Sequence, residues 1–313
     1  MSGSDRYEIG KVVVATDFSE AAARAADWGA AIARAHGAHL TLVHAAWLPA
    51  PAPDYVAPEA DFGGGIQQAA RARLEEEAAR LGESGAEIHP RLAVGSAVEA
   101  ILDLCREIGA DLLVAGARGH SQLHNLLLGS TAERLVQQAD CPVLTASDAA
   151  APPPGRLAGI LVPTDFGEDA RRAAAVAAVL LRGGEQRARL VLFHAYSLPI
   201  DYGAYGLAPV SPAFLEESRI RAEADLEEQA ALLRREGLAV EMVAAAGYPV
   251  ESILAVAEEH RVDLIAMGTS GRTGAAHLLL GSTAERVVQR AGCPVLTLRD
   301  WRRGGDSNPR SGV

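Results

Sequence analysis

The sequence predicts two tandem five-stranded parallel-sheet α/β sandwiches, and three observations carry that prediction. The first is a duplication. Residues 126–146 read LLLGSTAERLVQQADCPVLTA and residues 278–298 read LLLGSTAERVVQRAGCPVLTL, with 17 of 21 positions matching at an offset of 152. The same offset relates Gly95 to Gly247 and Asp111 to Asp263, and it drifts to 148 for the Thr-Asp-Phe triplets at Thr16 and Thr164. A repeat of that period is one domain written twice. The second observation is the alternation, within each copy, of short β-branched runs with helical segments, which implies right-handed βαβ crossovers and a parallel sheet. The third is that the first, second and fourth strands are almost wholly apolar, as parallel strands covered on both faces should be.

The elements follow in order. Lys11–Thr16 is a β-branched run, and the Ala-rich segment Glu20–Ala35 suits a helix. A strand at His39–Ala45 leads into a Pro-rich loop, Leu48–Pro58, and then a charged amphipathic helix from about Gln67 to Leu81. A strand around Glu87–Ala93 precedes a helix opened by Ser96 with Glu99 three residues on, the pattern of a capping box. The strand Asp111–Gly116, a glycine-bounded loop, the helix Thr131–Gln138 and the strand Pro142–Ala146 complete the copy. The second copy repeats this from Gly159 to Leu298. The predicted domains are 8–148 and 157–300, joined by a semi-rigid linker at 149–156 in the proline-rich stretch Asp148–Gly155, with a polar, disordered tail at 301–313.

Composition narrows the chemistry. With 40 acidic and 29 basic residues the formal net charge is −11, which argues against nucleic-acid and anionic-membrane partners. Lys11 is the sole lysine. A P-loop, a kinase strand lysine and a Schiff-base lysine are thereby excluded, since Lys11 precedes the first strand with no glycine-rich loop ahead of it. Three cysteines without a C-x-x-C pattern indicate neither a disulfide framework nor a zinc site. The N-terminus lacks the regions of a signal peptide, and charged residues or His interrupt every long apolar run. The expected location is the cytoplasm.

Ligands of open α/β sheets bind beyond the carboxyl ends of the strands, where the strand order reverses. Two segments per copy end such strands. One is Thr16-Asp17-Phe18, with its partner Thr164-Asp165-Phe166. The other is Gly116-Ala-Arg118-Gly119, nine residues, then Gly129-Ser130-Thr131, partnered by Gly268-Thr-Ser-Gly271, nine residues, then Gly281-Ser282-Thr283. Glycines permit close approach and positive φ, so that backbone N–H groups can form an anion nest, and a helix start favours negative charge. A purely structural account fits the same residues: Ser130-x-x-Glu133 and Ser282-x-x-Glu285 read as capping boxes, and Asp17 and Asp165 as helix caps. Both spacings recur while the residues between them differ, which favours the ligand. His44 and His194 read as packed, hydrogen-bonded strand-end residues, His120 and His124 as loop residues, and Cys141 and Cys293 as small buried apolar groups.

G-x2-G-x9-G-(S/T), the opening V-x-x-T-D-F-S, a strand ending in V-H and C-P-V-L before the last strand together resemble the universal stress proteins, over roughly Gly10–Ser147 and Gly159–Arg299. The resemblance implies a strand order of 3-2-1-4-5 and an ATP or other adenine-nucleotide site in each half. With no lysine to hold phosphates and a net charge of −11, Mg²⁺ is expected to screen their charge. It implies Thr16, Asp17, Ala45, Gly116, Arg118, Gly119, Gly129, Ser130 and Thr131 in the first site. In the second it implies Pro163, Thr164, Asp165, Ala195, Gly268, Gly271, Gly281, Ser282 and Thr283. Ala15 stands where the second copy and many members have Pro. The family pairs through its last strand, here within one chain as a pseudo-dimer or between chains as a homodimer. The expected function is nucleotide-dependent regulation in stress, with no catalytic residue assigned. The alternatives are slow ATP hydrolysis or nucleotidyl transfer, in which Arg118 or Arg272 stabilises phosphate charge, and a scaffold that uses no nucleotide.

Overall fold

The structure, a computed structural model, describes residues 7–47, 62–83, 85–119, 128–182, 188–196, 212–269 and 280–299. The first copy runs β1 (Lys11–Ala15), α1 (Glu20–His36), β2 (His39–Ala46), α2 (Phe62–Gly82), β3 (Ile88–Val94), α3 (Ala97–Ile108), β4 (Leu112–Gly116), α4 (Ser130–Gln138) and β5 (Val143–Ala146). The second runs β6 (Gly159–Pro163), α5 (Glu168–Arg182), β7 (Arg189–Tyr196), α6 (Pro212–Arg235), β8 (Ala239–Ala246), α7 (Pro249–Glu259), β9 (Leu264–Gly268), α8 (Ser282–Arg290) and β10 (Val295–Leu298). No helix among the described residues is long and apolar enough to cross a membrane. The Pro- and Tyr-rich loops, His120, His124 and the tail lie outside the described residues.

All ten strands join one sheet, in the order β3-β2-β1-β4-β5-β10-β9-β6-β7-β8. Each copy therefore has the 3-2-1-4-5 order, with parallel neighbours throughout. The order reverses between β1 and β4, where Ala15 stands opposite Ala115. That places the residues following both strands side by side, at the point where open α/β sheets bind ligands.

The seam between the copies is the pairing implied for the last strands. β5 and β10 run antiparallel, with Val295 opposite Thr145, Leu296 opposite Leu144 and Thr297 opposite Val143. The two threonines are buried, and their hydroxyls donate across the seam: Thr145 Oγ1 to the Val295 carbonyl and Thr297 Oγ1 to the Val143 carbonyl, each at 3.2 Å. Beyond β10, the Arg299 guanidinium donates to the Gln137 carbonyl at the end of α4, where a cation meets the negative pole of the helix.

Antiparallel pairing of the last strands keeps equivalent helices on the same face. One core gathers α1, α2, α5 and α6, with Trp28, Leu40, Leu144, Leu180, Leu226 and Leu296 among its buried members. The other lies under α3, α4, α7 and α8 and includes Ile101, Leu135, Ile253 and Val287. Each core draws on both copies, so the apolar burial that stabilises one half is shared with the other. Cys141 is buried beside Cys105, whose contact, together with burial, holds its thiol well above the usual range, and burial pushes the Cys293 thiol up to about 12. Cys141 is the small buried apolar group expected of it, whereas Cys293 is only half-buried.

The linker docks as well as tethers. Trp28 is 2 % exposed, and its Nε1 donates to the Ala151 carbonyl at 3.0 Å, fastening the 149–156 segment to α1. Replacing Trp28 with Phe is expected to lower stability by about 1–3 kcal/mol, combining the lost hydrogen bond with an incompletely filled site. Urea unfolding checks this, and an unchanged midpoint would show that the linker contributes nothing to the fold.

Candidate functional site

Thr16, Asp17 and Phe18 leave β1 in a turn built by their own side chains. Thr16 is buried, and its N–H donates to the Val43 carbonyl at 2.9 Å, continuing the ladder to β2. Its Oγ1 accepts from the Phe18 N–H at 3.0 Å, while Asp17 Oδ1 accepts from the Ser19 N–H at 3.0 Å. Phe18 is thereby held at φ 64°, a left-handed conformation costly for a bulky residue. The ring packs on His44 with centroids 4.5 Å apart, and the Arg73 guanidinium lies over the ring, 4.4 Å from its centroid. His44 Nδ1 lies 2.8 Å from the Thr16 carbonyl, which only accepts, so Nδ1 carries the proton.

The second copy rebuilds the turn atom for atom. Phe166 has φ 65°, Thr164 Oγ1 accepts from the Phe166 N–H at 2.9 Å, and Asp165 Oδ1 accepts from the Gly167 N–H at 2.9 Å. His194 Nδ1 lies 2.7 Å from the Thr164 carbonyl, with its ring 4.5 Å from Phe166. Here Thr164 Oγ1 also donates to Gln229 Oε1 on α6, at 2.9 Å. Asp17 is not the helix cap that one reading of the sequence made it. Ser19 caps α1, its side chain accepting from the Ala22 N–H at 3.2 Å, and Asp17 sits outside the helix as the keystone of the preceding turn.

The glycine segment takes a different geometry from the one expected. None of Gly116, Gly119, Gly129, Gly268 and Gly281 has positive φ; Gly129 stands at −64° and Gly281 at −60°. Close approach is what Gly116, Gly119, Gly268 and Gly281 require, whereas a Cβ on Gly129 would meet only ordinary contact, 3.4 Å from the Ala117 carbonyl oxygen. A Cβ on Gly116 would lie 2.8 Å from the Ala22 nitrogen in the first turn of α1, and one on Gly268 would lie 2.6 Å from Asp169 Cβ on α5. At Gly119 it would lie 2.6 Å from Asp17 Oδ2, so the bare backbone there abuts the carboxylate. The loop after β4 is closed at its base, because Ala117 N–H donates to the Ala146 carbonyl and Gly129 N–H to the Ala117 carbonyl, at 2.8 and 2.9 Å. Thr269 and Gly281 repeat both bonds in the second copy.

The capping boxes are also corrected. Gly129 and Gly281 occupy the N-cap positions of α4 and α8, so Ser130 and Ser282 fall one residue inside, and no side chain caps either helix. Glu133 and Glu285 accept instead from Gln137 and Gln289, each at 3.1 Å, along the helix surface. Ser96 is at the N-cap of α3, but its side chain makes no capping bond either. The first-turn N–H groups of α4 consequently face the strand ends without a side-chain acceptor from a cap.

These segments meet around a cavity of about 250 Å³, and all nine candidates of the first copy line it: Thr16, Asp17, Ala45, Gly116, Arg118, Gly119, Gly129, Ser130 and Thr131. His44 lines it too, although its sequence suggested only a packed role. The apolar wall comes from Ala22, Ala97, Ile101, Ala132 and Leu135, whose inward helix faces carry no chemical signature in the sequence. Polar groups therefore line one part and methyl groups another, a division suited to a flat apolar ring bearing a charged substituent. Arg118 already has an ion partner, Asp148, at 3.6 Å.

In the second copy Pro163 and Gly268 end β6 and β9, Thr164 and Asp165 follow Pro163, Ala195 lies on β7, and Ser282 and Thr283 begin α8 after Gly281. Gly271 and Arg272 lie outside the described residues.

Comparison with known proteins agrees with this architecture. The sequence profile of the universal stress protein family matches residues 8–147 and again 159–299. The chain is 29 % identical over 299 residues to universal stress protein Rv2623 of Mycobacterium tuberculosis, covering 92 % of this chain and 96 % of that one. It is 39 % identical over 146 residues to a universal stress protein of Thermus aquaticus, covering 45 % of this chain and 97 % of the relative, the length of one copy. In fold it is similar to the crystal structure of a universal stress protein from Archaeoglobus fulgidus, with a TM-score of 0.68 at 21 % identity, over 94 % of this chain and 97 % of that one. The chain belongs to the universal stress protein family and carries the family's domain twice.

Proposed function

We propose that this protein binds an adenine nucleotide, ATP, in the first-copy cavity and in its counterpart, and that occupancy tunes its conformation or its affinity for a partner. The observation that carries this reading is the meeting of the strand-end Asp turn with a helix start that no side chain caps, around one cavity. Asp17 and the backbone of residues 44–45 would take the polar edge of the base, and the alanine and leucine wall its faces. The N–H groups at the start of α4, with the Ser130 and Thr131 hydroxyls, would take the phosphates without a lysine. In a chain of net charge −11, Mg²⁺ would ride on the phosphates and their waters as a charge screen. The expected place of action is the cytoplasm, with neither nucleic acid nor membrane as partner.

Mass spectrometry of natively purified protein should find adenine nucleotide, and calorimetric titration of stripped protein with Mg-ATP should give two sites per chain. Gly119→Ala pushes a methyl against the Asp17 carboxylate, whose rotation absorbs the strain, so stability should hold while affinity at the first site falls on the order of tenfold, about 1.4 kcal/mol. No bound nucleotide together with no heat on adding Mg-ATP would overturn the proposal. Phosphate release faster than that of a Gly129→Val/Gly281→Val double variant would favour the enzymatic alternative.

A further inference from the structure

At the other end of the first copy's strands, His39 opens β2 and Glu87 and His89 flank the start of β3, the edge strand of the sheet. The register, Leu40 opposite Ile88 and Thr41 opposite His89, puts all three side chains on one face. Glu87 Oε1 lies 3.4 Å from His89 Nε2, Glu87 Oε2 lies 4.0 Å from His39 Nδ1, and one ligand atom from each residue falls within 4.8 Å of the other two. A tetrahedral ion with bonds of about 2.1 Å holds its ligands about 3.4 Å apart. The Glu87–His89 spacing already meets that, and exposed side chains close the rest by small χ rotations. Two imidazoles and a carboxylate form a borderline donor set of the kind zinc takes, leaving one coordination position for water.

The duplicate fills the same place differently. There Arg189 replaces His39, Ala239 replaces Glu87 and Glu241 replaces His89. Arg189 Nε pairs with Glu241 Oε2 at 3.2 Å, His260 Nδ1 lies 3.3 Å from Glu241 Oε1, and Arg189 Nη2 donates to the His260 carbonyl just past α7 at 2.7 Å. The second copy thus ties its edge strand β8 to β7 and α7 with a built-in cation. In the first copy the helix-end carbonyl, Ile108, is taken at 2.7 Å by Lys11 from the neighbouring strand β1. Position 39 is relieved of that task and carries a metal donor instead. Lys11, next to His39 in register, turns its ammonium to that carbonyl, and the exposed Arg91 lies further along β3.

We propose that His39, Glu87 and His89 bind a divalent zinc-class ion that pins the edge strand β3 to β2, the place held in the second copy by Arg189 and Glu241. Titration of the tag-free chain with zinc chloride should give one site per chain and a raised melting temperature. His39→Arg, which restores the arginine found in the second copy, and separately His89→Asn, should each weaken zinc binding by at least tenfold, because loss of even an outer partner costs roughly 10- to 100-fold. Circular dichroism should show both variants folded, and His39→Arg should lose the zinc-induced rise in melting temperature while keeping the fold. No zinc heat with the wild-type chain, or zinc binding by both variants as tight as that of the wild type, would overturn the proposal.

Discussion

Replacing Leu296 with Asp is expected to unfold the entire chain, not the second half alone. Leu296 is fully buried on β10, opposite Leu144 on β5, and belongs to the core that α1 and α5 share. A carboxylate placed there has no cationic partner across the seam, and an unpaired buried charge costs several kcal/mol even after the structure relaxes. The lost leucine contacts add about 2–5 kcal/mol. Together these match the 5–15 kcal/mol by which ordinary domains are stable. The wild-type chain should melt in one calorimetric transition, because both cores mix residues from both copies. The Leu296→Asp chain should lose its near-ultraviolet dichroism at 25 °C. Two well-separated wild-type transitions, or a variant that melts like the wild type, would show that the seam carries little of the stability.

The second large effect concerns Gly116. A methyl there meets the Ala22 nitrogen at 2.8 Å and the Ala21 carbonyl carbon at 2.9 Å, and backbone atoms cannot rotate aside as a side-chain end does. Gly116→Ala should therefore push the first turn of α1 away from β4, costing about 1–3 kcal/mol as an overpacking strain. The backbone benefit of Gly→Ala, about 1 kcal/mol at most, is too small to offset it. Because Asp17 sits just before that turn, the first site should lose ATP binding while the second keeps it, halving the stoichiometry. Gly268→Ala, which meets Asp169 Cβ at 2.6 Å, should give the mirror result. Retention of both sites by Gly116→Ala would separate nucleotide binding from this helix contact.

The sequence discloses the fold in detail because the same pattern appears twice and each buried parallel strand is a short apolar run. Val12, Val13 and Val14 in β1, or Leu112, Leu113 and Val114 in β4, leave little choice of element. It discloses the polar half of the candidate site for a related reason: Thr16, Asp17 and the glycines stand at strand ends, where spacing reflects backbone geometry. Two readings went astray on local detail. The Ser130-x-x-Glu133 spacing is a capping box on paper, yet the helix begins one residue too early for it, since Gly129 is already pinned to the Ala117 carbonyl. The glycines were expected to serve both close approach and positive φ, and the structure uses only the first, against segments that no local pattern identifies. Ile101 and Leu135 in the cavity wall, and the pairing of Arg118 with Asp148, depend on elements distant in sequence and were illegible for the same reason.

The antiparallel seam sets the binding ends of the two copies apart. Since β5 and β10 run in opposite directions, the carboxyl ends of β1 and β4 lie on one rim of the sheet and those of β6 and β9 on the opposite rim. The strand ends that line the first cavity and their equivalents in the second copy therefore open in opposite directions. What lies between them is the shared sheet and the two cores to which both copies contribute. Under the proposed function, a chain with a partner at each site would hold the two facing opposite ways, an arrangement that one copy of the domain lacks.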